Sequence, residues 1–383
     1  MTAKEKLFKY IDENEEKYRE LNGALFDNPE PCFMEFKTFE IQKSFMENEG
    51  FRITTPVAGL ETAFIAEYGE GRPVIAIVDS MDALPGASQE ADAFEPRPAV
   101  EGGSGHGCGH HLLCTGCIET ACALKELIAA GDIKGTVRLY ACPAEEGGGG
   151  KVFMTMHGAF DGVDAVLTWH PMPENNHGGG SLACVTVKYS FSGTAAHAAA
   201  APWEGRSALD AAELMNVGVQ FLREHILPTC RIHYAITGNG GDAPNVVQPS
   251  AELLYSIRAE SSEALKDVFN RVTKIAEGAA LMTGTVAEKP VIVSAYTEKL
   301  INPVLDELLA KKFDEIPAPE YTDEELEYLS RYRRVGAMPD SKIEIDTDVR
   351  PMSPVPGAST DMSDVSWAAP TGNICLLYTS RCV

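Results

Sequence analysis

PVIAIVDSMDALPG, residues 73–86, is a run of apolar residues that ends in acidic side chains. Short runs rich in β-branched residues and closed by turn residues predict a strand. In open α/β sheets the ligand site lies beyond the carboxyl ends of the strands. The segment therefore predicts a strand that delivers Asp82 to a functional site.

Further strands and helices are predicted on both sides of this segment. Apolar runs predict strands at 61–68, 136–143 and 165–171, and helical periodicity predicts helices at 4–26, 35–49, 111–130 and 150–158. Such alternation is typical of a parallel or mixed sheet with helices on both faces. Two of the strands end in potential metal ligands, because Glu145 and Glu146 follow one and His170 lies in another.

The glycine-rich segment GHGCGHH, residues 105–111, supplies Cys108 and His110. We expect this loop to be extended, so that two residues separated by one glycine point the same way. The glycines let the backbone bend tightly around an ion. Together with the groups at the strand ends, the segment predicts a metal site.

Glu145 and Glu146 are adjacent, and an extended backbone would point their side chains apart. One carboxylate could then bind a metal while the other faces the attacking water. A metal ion lowers the pKa of water and a nearby carboxylate accepts its proton, so the pair suits hydrolysis. A lone pair of glutamates is usually a solvated surface feature. The prediction therefore depends on the whole set of ligands.

Residues 184–297 change character and predict a second domain. Their expected order, strand–helix–strand–strand–helix–strand, is that of a ferredoxin-like α+β unit. The predicted fold class is thus α/β, with a mixed sheet flanked by helices and interrupted by a ferredoxin-like domain. The catalytic domain would comprise residues 1–183 and 298–374, with polar, proline-rich loops in its second part.

The composition excludes several classes of partner. The 383 residues carry a formal net charge of -24, which argues against binding to nucleic acid. No apolar run reaches the length of a membrane span. The charged amphipathic start of the chain does not resemble a signal peptide, and ten cysteines without such a signal favour reduced thiols and a cytoplasmic location.

Four motifs occur in a characteristic order: MDALP at 81–85, GHGCGH at 105–110, CPAEE at 142–146 and GTAAHAA at 193–199. The chain thereby resembles the metallopeptidase family of aminoacylases, glutamate carboxypeptidases and auxin-conjugate or hippurate amidohydrolases. The resemblance runs from about residue 60 to about residue 372. It implies a metal-dependent amidohydrolase acting on p-aminobenzoyl-glutamate or a similar acidic N-acyl amino acid.

The resemblance also implies roles for matching residues. The metal ligands would be Cys108, His110, Glu146 and His170, binding two divalent ions, zinc or manganese. Glu145 would be the general base and acid, Asp82 would orient a ligand, and His197 would help to stabilise the oxyanion across a dimer interface. Asn245 and Arg258 would hold the substrate carboxylate. The ferredoxin-like domain would serve as lid and dimerisation domain, in a homodimer or a heterodimer with a related subunit.

The sequence departs from the family pattern at a few positions. Ser80 and Met81 stand where relatives often have histidine or an acidic residue, and His111 stands where many have Asp or Asn. The family's last ligand is a histidine near the C-terminus, yet no histidine follows His233. We expect residues 375–383 to be a non-native tail on a truncated chain, which would then be poorly active.

Two alternatives remain open at this stage. The chain could hydrolyse another N-acyl amino acid or a dipeptide. It could also be a non-catalytic partner subunit with a degraded metal site, although such a subunit would not need Glu145 and the ligand set. A structural zinc site is disfavoured, because the one CxxC pair, Cys114 and Cys117, lies in a predicted helix.

Overall fold

The computed structural model describes residues 1–172, 174–316, 321–335, 348–354 and 358–377. The chain divides into two compact units. The first unit comprises Met1–Gly180, Leu300–Pro354 and the chain from Asp364 onward. The second unit comprises Ser181–Lys299 and the described residues 358–363. Within the described residues, no helix is long and apolar enough to cross a membrane.

The N-terminal part of the first unit alternates helices and strands. Its helices are α1 (Ala3–Glu13), α2 (Glu15–Phe26), α3 (Phe36–Asn48), α4 (His110–Ala129) and α5 (Gly150–Met156). Its strands are β1 (Arg52–Thr54), β2 (Phe64–Glu70), β3 (Val74–Val78), β4 (Gly135–Ala141), β5 (Ala165–Met172) and β6 (Asn175–His177).

The prediction of one helix over residues 4–26 is wrong. Asn14 separates α1 from α2 with φ -116° and ψ 11°. Its side-chain amide donates to the carbonyl of Tyr10 at 2.8 Å, which is the local hydrogen bonding that makes asparagine a poor residue inside helices.

The second unit contains β7 (Ala183–Ser192), α6 (Ala208–Leu222), β8 (Arg231–Gly238), β9 (Ser250–Ala259), α7 (Ser262–Thr283), β10 (Val286–Ala287) and β11 (Val291–Tyr296). Two short 3₁₀ turns, Pro202–Glu204 and Arg223–His225, flank α6. The C-terminal part of the chain adds α8 (Pro303–Glu315), α9 (Asp323–Val335), β12 (Val349–Pro351), α10 (Met362–Ala368) and β13 (Thr371–Leu377). α9 lies where polar loops were expected, so that expectation is wrong.

The first unit is built on a mixed sheet with the order β1-β2-β4-β3-β5-β13-β6-β12. Strands β4, β3, β5 and β13 run parallel to one another, whereas β2 pairs with β4, and β6 with β13, in the antiparallel sense. α4 packs an apolar face that includes Leu113, Cys117 and Ile118 into the core of this unit. The central parallel strands therefore present their carboxyl ends side by side.

The second unit has an antiparallel sheet with the order β10-β7-β9-β8, and β11 also pairs with β7. α6 and α7 bury residues such as Met215, Val219 and Val272 against inward residues of the strands. Ser207 and Ser261 cap the starts of the two helices through their side chains. This is the expected strand–helix–strand–strand–helix–strand order. The predicted fold class, a mixed α/β sheet interrupted by a ferredoxin-like unit, is confirmed.

The predicted tail at 375–383 lies partly outside the described residues. Cys375 to Leu377 continue β13 and pair in parallel with His170 to Met172 of β5. Residues 378–383 are not among those that the structure describes, and the non-native origin of the tail stays a prediction.

Candidate metal centre

The carboxyl ends of three parallel strands carry the polar side chains of one cluster in the first unit. Asp82 follows β3, Glu145 and Glu146 follow β4, and His170 lies within β5. His110 is the first residue of α4, which connects β3 to β4 in the chain. Because β4, β3 and β5 are neighbours in the sheet, the segments after them meet at one edge.

Two overlapping groups of side chains could each hold a metal ion. One group is Cys108, His110 and His170, and the other is His110, Glu145 and Glu146. In each group the possible ligand atoms lie within 4.8 Å of one another. The Cys108 Sγ is 3.4 Å from the His170 Nε2. The structure thus brings together the four predicted ligands and the predicted base.

The orientation of His110 follows from the turn that precedes α4. Gly109 has φ 75°, a left-handed conformation that glycine adopts without strain, and the helix begins directly after it. His110 Nδ1 lies 2.7 Å from the main-chain oxygen of Asp82, so Nδ1 carries a proton, and the neutral form that remains after loss of the Nε2 proton has its lone pair on Nε2. This is the tautomer that a metal ligand requires.

The donor atoms of this cluster fit a metal ion. His110 Nε2 and Glu146 Oε1 are both buried, and neither has a hydrogen-bond partner within the described part of the chain. They lie 3.8 Å apart, and Glu145 Oε2 lies 3.9 Å from the same imidazole nitrogen. Buried polar atoms without partners are costly, and a bound cation would satisfy both of them.

Two local expectations about this site are wrong. Residues 106–110 do not form an extended loop, because a turn leads directly into α4. Glu145 and Glu146 lie in a turn, and both carboxylates approach His110 instead of pointing apart. The reason lies in the backbone at Ala144, which has φ 61° and reverses the chain before the two glutamates.

Asp82 holds this turn in place. Its carboxylate is fully buried and accepts from the N–H of Glu145 at 3.0 Å and the N–H of Glu146 at 2.8 Å. Burial alone would raise the pKa of Asp82, but the hydrogen bond and charge of His110 lower the pKa below its usual range. An ionised Asp82 therefore orients His110 and both glutamates, as a carboxylate behind a metal ligand commonly does.

The electrostatics of the cluster favour a cation. Burial disfavours the charged form of His110, yet Asp82, Glu145 and Glu146 raise its pKa to about 9. Burial and the charge of Glu145 raise the pKa of Glu146. Burial and the charge of His110 lower the pKa of His170.

His111 and His106 belong to a separate aromatic cluster. The ring centroids of the two histidines are 4.9 Å apart, and His111 packs edge-on against Phe26 at 5.2 Å. Burial lowers the pKa of His106 to about 4 and that of His111 to about 3. His111 therefore acts as a neutral packing residue.

Sequence reasoning missed several buried ionisable residues beside the cluster. Lys151, at the start of α5, is fully buried and donates to the hydroxyl of Ser80 at 2.8 Å. Asp79 is also fully buried, accepts from the N–H of Cys142 at 2.9 Å, and has its pKa raised by burial to about 7. Glu35 is a third such residue. Ser80 thus accepts a hydrogen bond from a buried lysine.

The remaining predicted site residues lie in the second unit. His197 is exposed, and its Nδ1 accepts from the N–H groups of Ala199 and Ala200 at 3.2 Å each, which leaves the proton on Nε2. Asn245 is exposed nearby and accepts from the N–H of Ala198 through its main-chain oxygen at 2.9 Å. Arg258 is half-buried on β9. The three side chains offer hydrogen-bond donors.

Comparisons with known proteins agree with this geometry. Residues 79–312 match the sequence model of peptidase family M20/M25/M40. The chain is 39% identical over 397 residues to one of the subunits of p-aminobenzoyl-glutamate hydrolase from Escherichia coli (strain K12), covering 96% of this chain and 82% of that relative.

Solved structures show the same fold. The aminobenzoyl-glutamate utilization protein from Klebsiella pneumoniae has a TM-score of 0.68 at 20% identity and covers 98% of this chain and 94% of its own. A dinuclear metal-binding peptidase from Bacillus subtilis has a TM-score of 0.61 at 23% identity and covers 94% of this chain and 87% of its own.

Proposed function

Because the chain belongs to peptidase family M20/M25/M40, we propose that it hydrolyses the amide bond of p-aminobenzoyl-glutamate or a similar N-acyl amino acid. The observation that supports a metal-dependent reaction most strongly is the pair of buried, unpartnered ligand atoms on His110 and Glu146. The substrate class rests on the 39% identical relative, which is named for this hydrolysis.

We propose that two divalent ions occupy the cluster, held by Cys108, His110, Glu146 and His170. A thiolate ligand favours zinc, while the carboxylates also admit manganese. When bound, such ions lower the pKa of water and polarise a carbonyl group. His110 would bind one of the ions through Nε2, and Cys108, Glu146 and His170 would supply the other ligands.

In the proposed reaction, residues of the chain transfer a proton from water to the leaving amine and stabilise the negative charge that develops on the carbonyl oxygen. Glu145 takes a proton from the attacking water and delivers it to the leaving amine nitrogen. Asp82 keeps the carboxylates of the turn in place through two backbone hydrogen bonds. His197 donates from Nε2 to the developing oxyanion, which is consistent with an Nδ1 that already accepts two N–H groups.

Arg258, with Asn245, would bind the substrate carboxylate. A guanidinium binds a carboxylate through two parallel hydrogen bonds, and it supplies positive charge in a chain of net charge -24. Arg258 lies opposite Arg231 in the β8–β9 register. Arg231 already donates to the carbonyl of Cys230 at 2.8 Å, which makes it a matched control.

We expect the purified chain, loaded with zinc or manganese, to release p-aminobenzoate from p-aminobenzoyl-glutamate. Arg258→Ala should lower kcat/KM by about 10–100-fold, since a hydrogen bond to a charged group is worth about 1.5–3 kcal/mol. Hydrolysis of the diamide of the same substrate, which lacks both carboxylates, should be unaffected by Arg258→Ala. The measurement is product release followed by chromatography.

Arg231→Ala should leave both rates unchanged. Equal losses on the charged and the neutral substrate would contradict carboxylate recognition by Arg258. A metal-loaded chain that cleaves other N-acyl amino acids or dipeptides but not p-aminobenzoyl-glutamate would replace the proposed substrate with one of those. A chain that binds metal and cleaves none of them would favour a non-catalytic partner subunit.

We propose that the second unit is a lid and dimerisation domain. Among the described residues, β8 is the last strand of its sheet and therefore an edge strand. An edge strand offers unpaired backbone N–H and C=O groups to another chain. The adjoining helix α6 exposes Val217 and Phe221, at 51% and 72% of their surface. The partner would be a second copy or a related subunit, because the similar Escherichia coli protein is named as one subunit of a hydrolase.

Light scattering should give about twice the chain mass of 41.3 kDa for the chain alone if it forms a homodimer. Val217→Glu together with Phe221→Glu should yield monomers, because two buried charges would face the interface. Leu281→Glu changes a similarly exposed apolar residue on α7 and should leave the mass unchanged. A monomeric wild-type chain would exclude a homodimer and direct the test to a related subunit.

We also propose a cytoplasmic location. Nine cysteines lie in the described residues, seven of them buried, and none of these nine forms a disulfide. Reduced thiols in such numbers are typical of a reducing compartment.

A further inference from the structure

Glu35 lies between α2 and α3, far in sequence from the metal-binding motifs, yet its carboxylate reaches the turn that carries the two glutamates. The side chain is fully buried. Its Oε1 accepts from the N–H of Phe33 at 2.8 Å and from the N–H of Ala144 at 2.9 Å. Its Oε2 accepts from the hydroxyl of Thr62 at 3.1 Å. A buried carboxylate with three donors is held in one orientation.

Ala144 is the residue where a restraint is needed. It has φ 61°, which is a strained conformation for a residue with a side chain, and it directly precedes Glu145. Strained residues persist when the surrounding structure holds them in place. The next two N–H groups, those of Glu145 and Glu146, are held by Asp82. Three successive N–H groups therefore donate to two buried carboxylates, Glu35 and Asp82.

The segment around Glu35 also packs directly on the glycine loop after the glutamates. A Cβ atom on Gly148 would lie 2.4 Å from the Cys32 Sγ and 2.7 Å from a ring carbon of Phe33, which is closer than real side chains approach. Phe33 itself has φ 61° and is one of the donors to Glu35. Glu35 thus joins two left-handed residues across this packed contact.

We propose that Glu35 is a positioning residue that fixes the Ala144–Glu146 turn and so sets the direction of the base Glu145 and the ligand Glu146. Glu35 is not itself a ligand, since its oxygens are engaged by Phe33, Ala144 and Thr62. Burial raises the pKa of its carboxyl to about 7, although backbone N–H groups oppose the shift.

The test measures zinc binding and backbone amide hydrogen exchange, neither of which requires a substrate. The roles of Glu145 as base and Glu146 as ligand rest on the proposed function. In the metal-free full chain, Glu35→Ala should speed amide hydrogen exchange in peptides covering residues 142–150. Its zinc affinity, measured by competition with a coloured chelator, should fall about 10–100-fold, as for other residues that orient a ligand. Glu35→Gln keeps an acceptor oxygen in place and should stay close to wild type.

Asp164→Ala is the matched control. Asp164 accepts from the N–H of Val74 at 2.7 Å at the start of β3, away from the strand ends that carry the ligands. Its removal should leave zinc affinity unchanged. If Glu35→Ala does not fold, Glu35→Asp keeps the charge but shortens the reach, and it should show the same loss of affinity.

Several outcomes would overturn the proposal. Wild-type zinc affinity and exchange in Glu35→Ala, or in Glu35→Asp where it replaces that variant, would exclude a positioning role. Glu35→Gln as weak as Glu35→Ala would show that charge matters and not the acceptor. An equal loss in Asp164→Ala would reveal a general effect of stability. Failure of the wild-type chain to hydrolyse p-aminobenzoyl-glutamate would count against the proposed function alone.

Discussion

Replacement of Glu145 by glutamine is expected to lower kcat by about 10²–10⁴-fold, the usual contribution of a general acid–base group. Glutamine has the same shape but cannot accept a proton from water. Its backbone N–H still donates to Asp82, so the turn should be retained. The release of p-aminobenzoate under metal-saturating conditions measures the effect.

The control for this variant is its metal content. Glu145→Gln should bind metal nearly as well as the wild-type chain, whereas Glu146→Gln should lose affinity, because Glu146 has the buried and unpartnered oxygen. Elemental analysis of the dialysed proteins separates the two. If the two variants exchanged these properties, Glu145 would be the ligand and Glu146 the base.

The residue types at the site were predictable because they are local features of the chain. Asp82, the glutamate pair and His170 all follow or end apolar runs, and parallel strands align such ends at one edge. His110 and Cys108 were recognised from their spacing. The prediction of a cluster thus required only strand positions and the chemistry of ligands, whereas the role of each residue came from the family resemblance.

The orientation of these side chains was not predictable from the same features. Glu145 and Glu146 converge because Ala144 adopts φ 61°, and alanine carries no signal for a left-handed backbone. The N–H of Ala144 also donates to Glu35, a contact that spans 109 positions of the chain and that no local pattern indicates. Only the packing shows that Lys151 is buried against Ser80.

His110 belongs to both possible ligand groups among the residues that the structure describes. Loss of its Nε2 would remove a ligand atom from either group, so metal binding should be more sensitive to this residue than to the others.

Replacement of His110 by alanine is therefore expected to abolish metal binding at the cluster and to lower kcat/KM by at least about 10³-fold, since several kcal/mol of transition-state stabilisation come from the metal. Wild-type chain in free zinc at about 100 times Kd should gain about 2.7 kcal/mol in its free energy of unfolding. His110→Ala should gain almost nothing. Thermal unfolding with and without zinc measures the difference.

His111→Ala is the matched control, because it truncates the neighbouring histidine on the same helix. His111 is nearly as buried, at 5% exposure against 1% for His110, but it packs on His106 and Phe26. Its loss should leave a cavity and lower the stability of the metal-free chain while the stabilisation by zinc is retained. If instead His110→Ala kept the zinc effect and His111→Ala lost it, the metal would lie at the aromatic cluster and the ligand set proposed for this chain would be wrong.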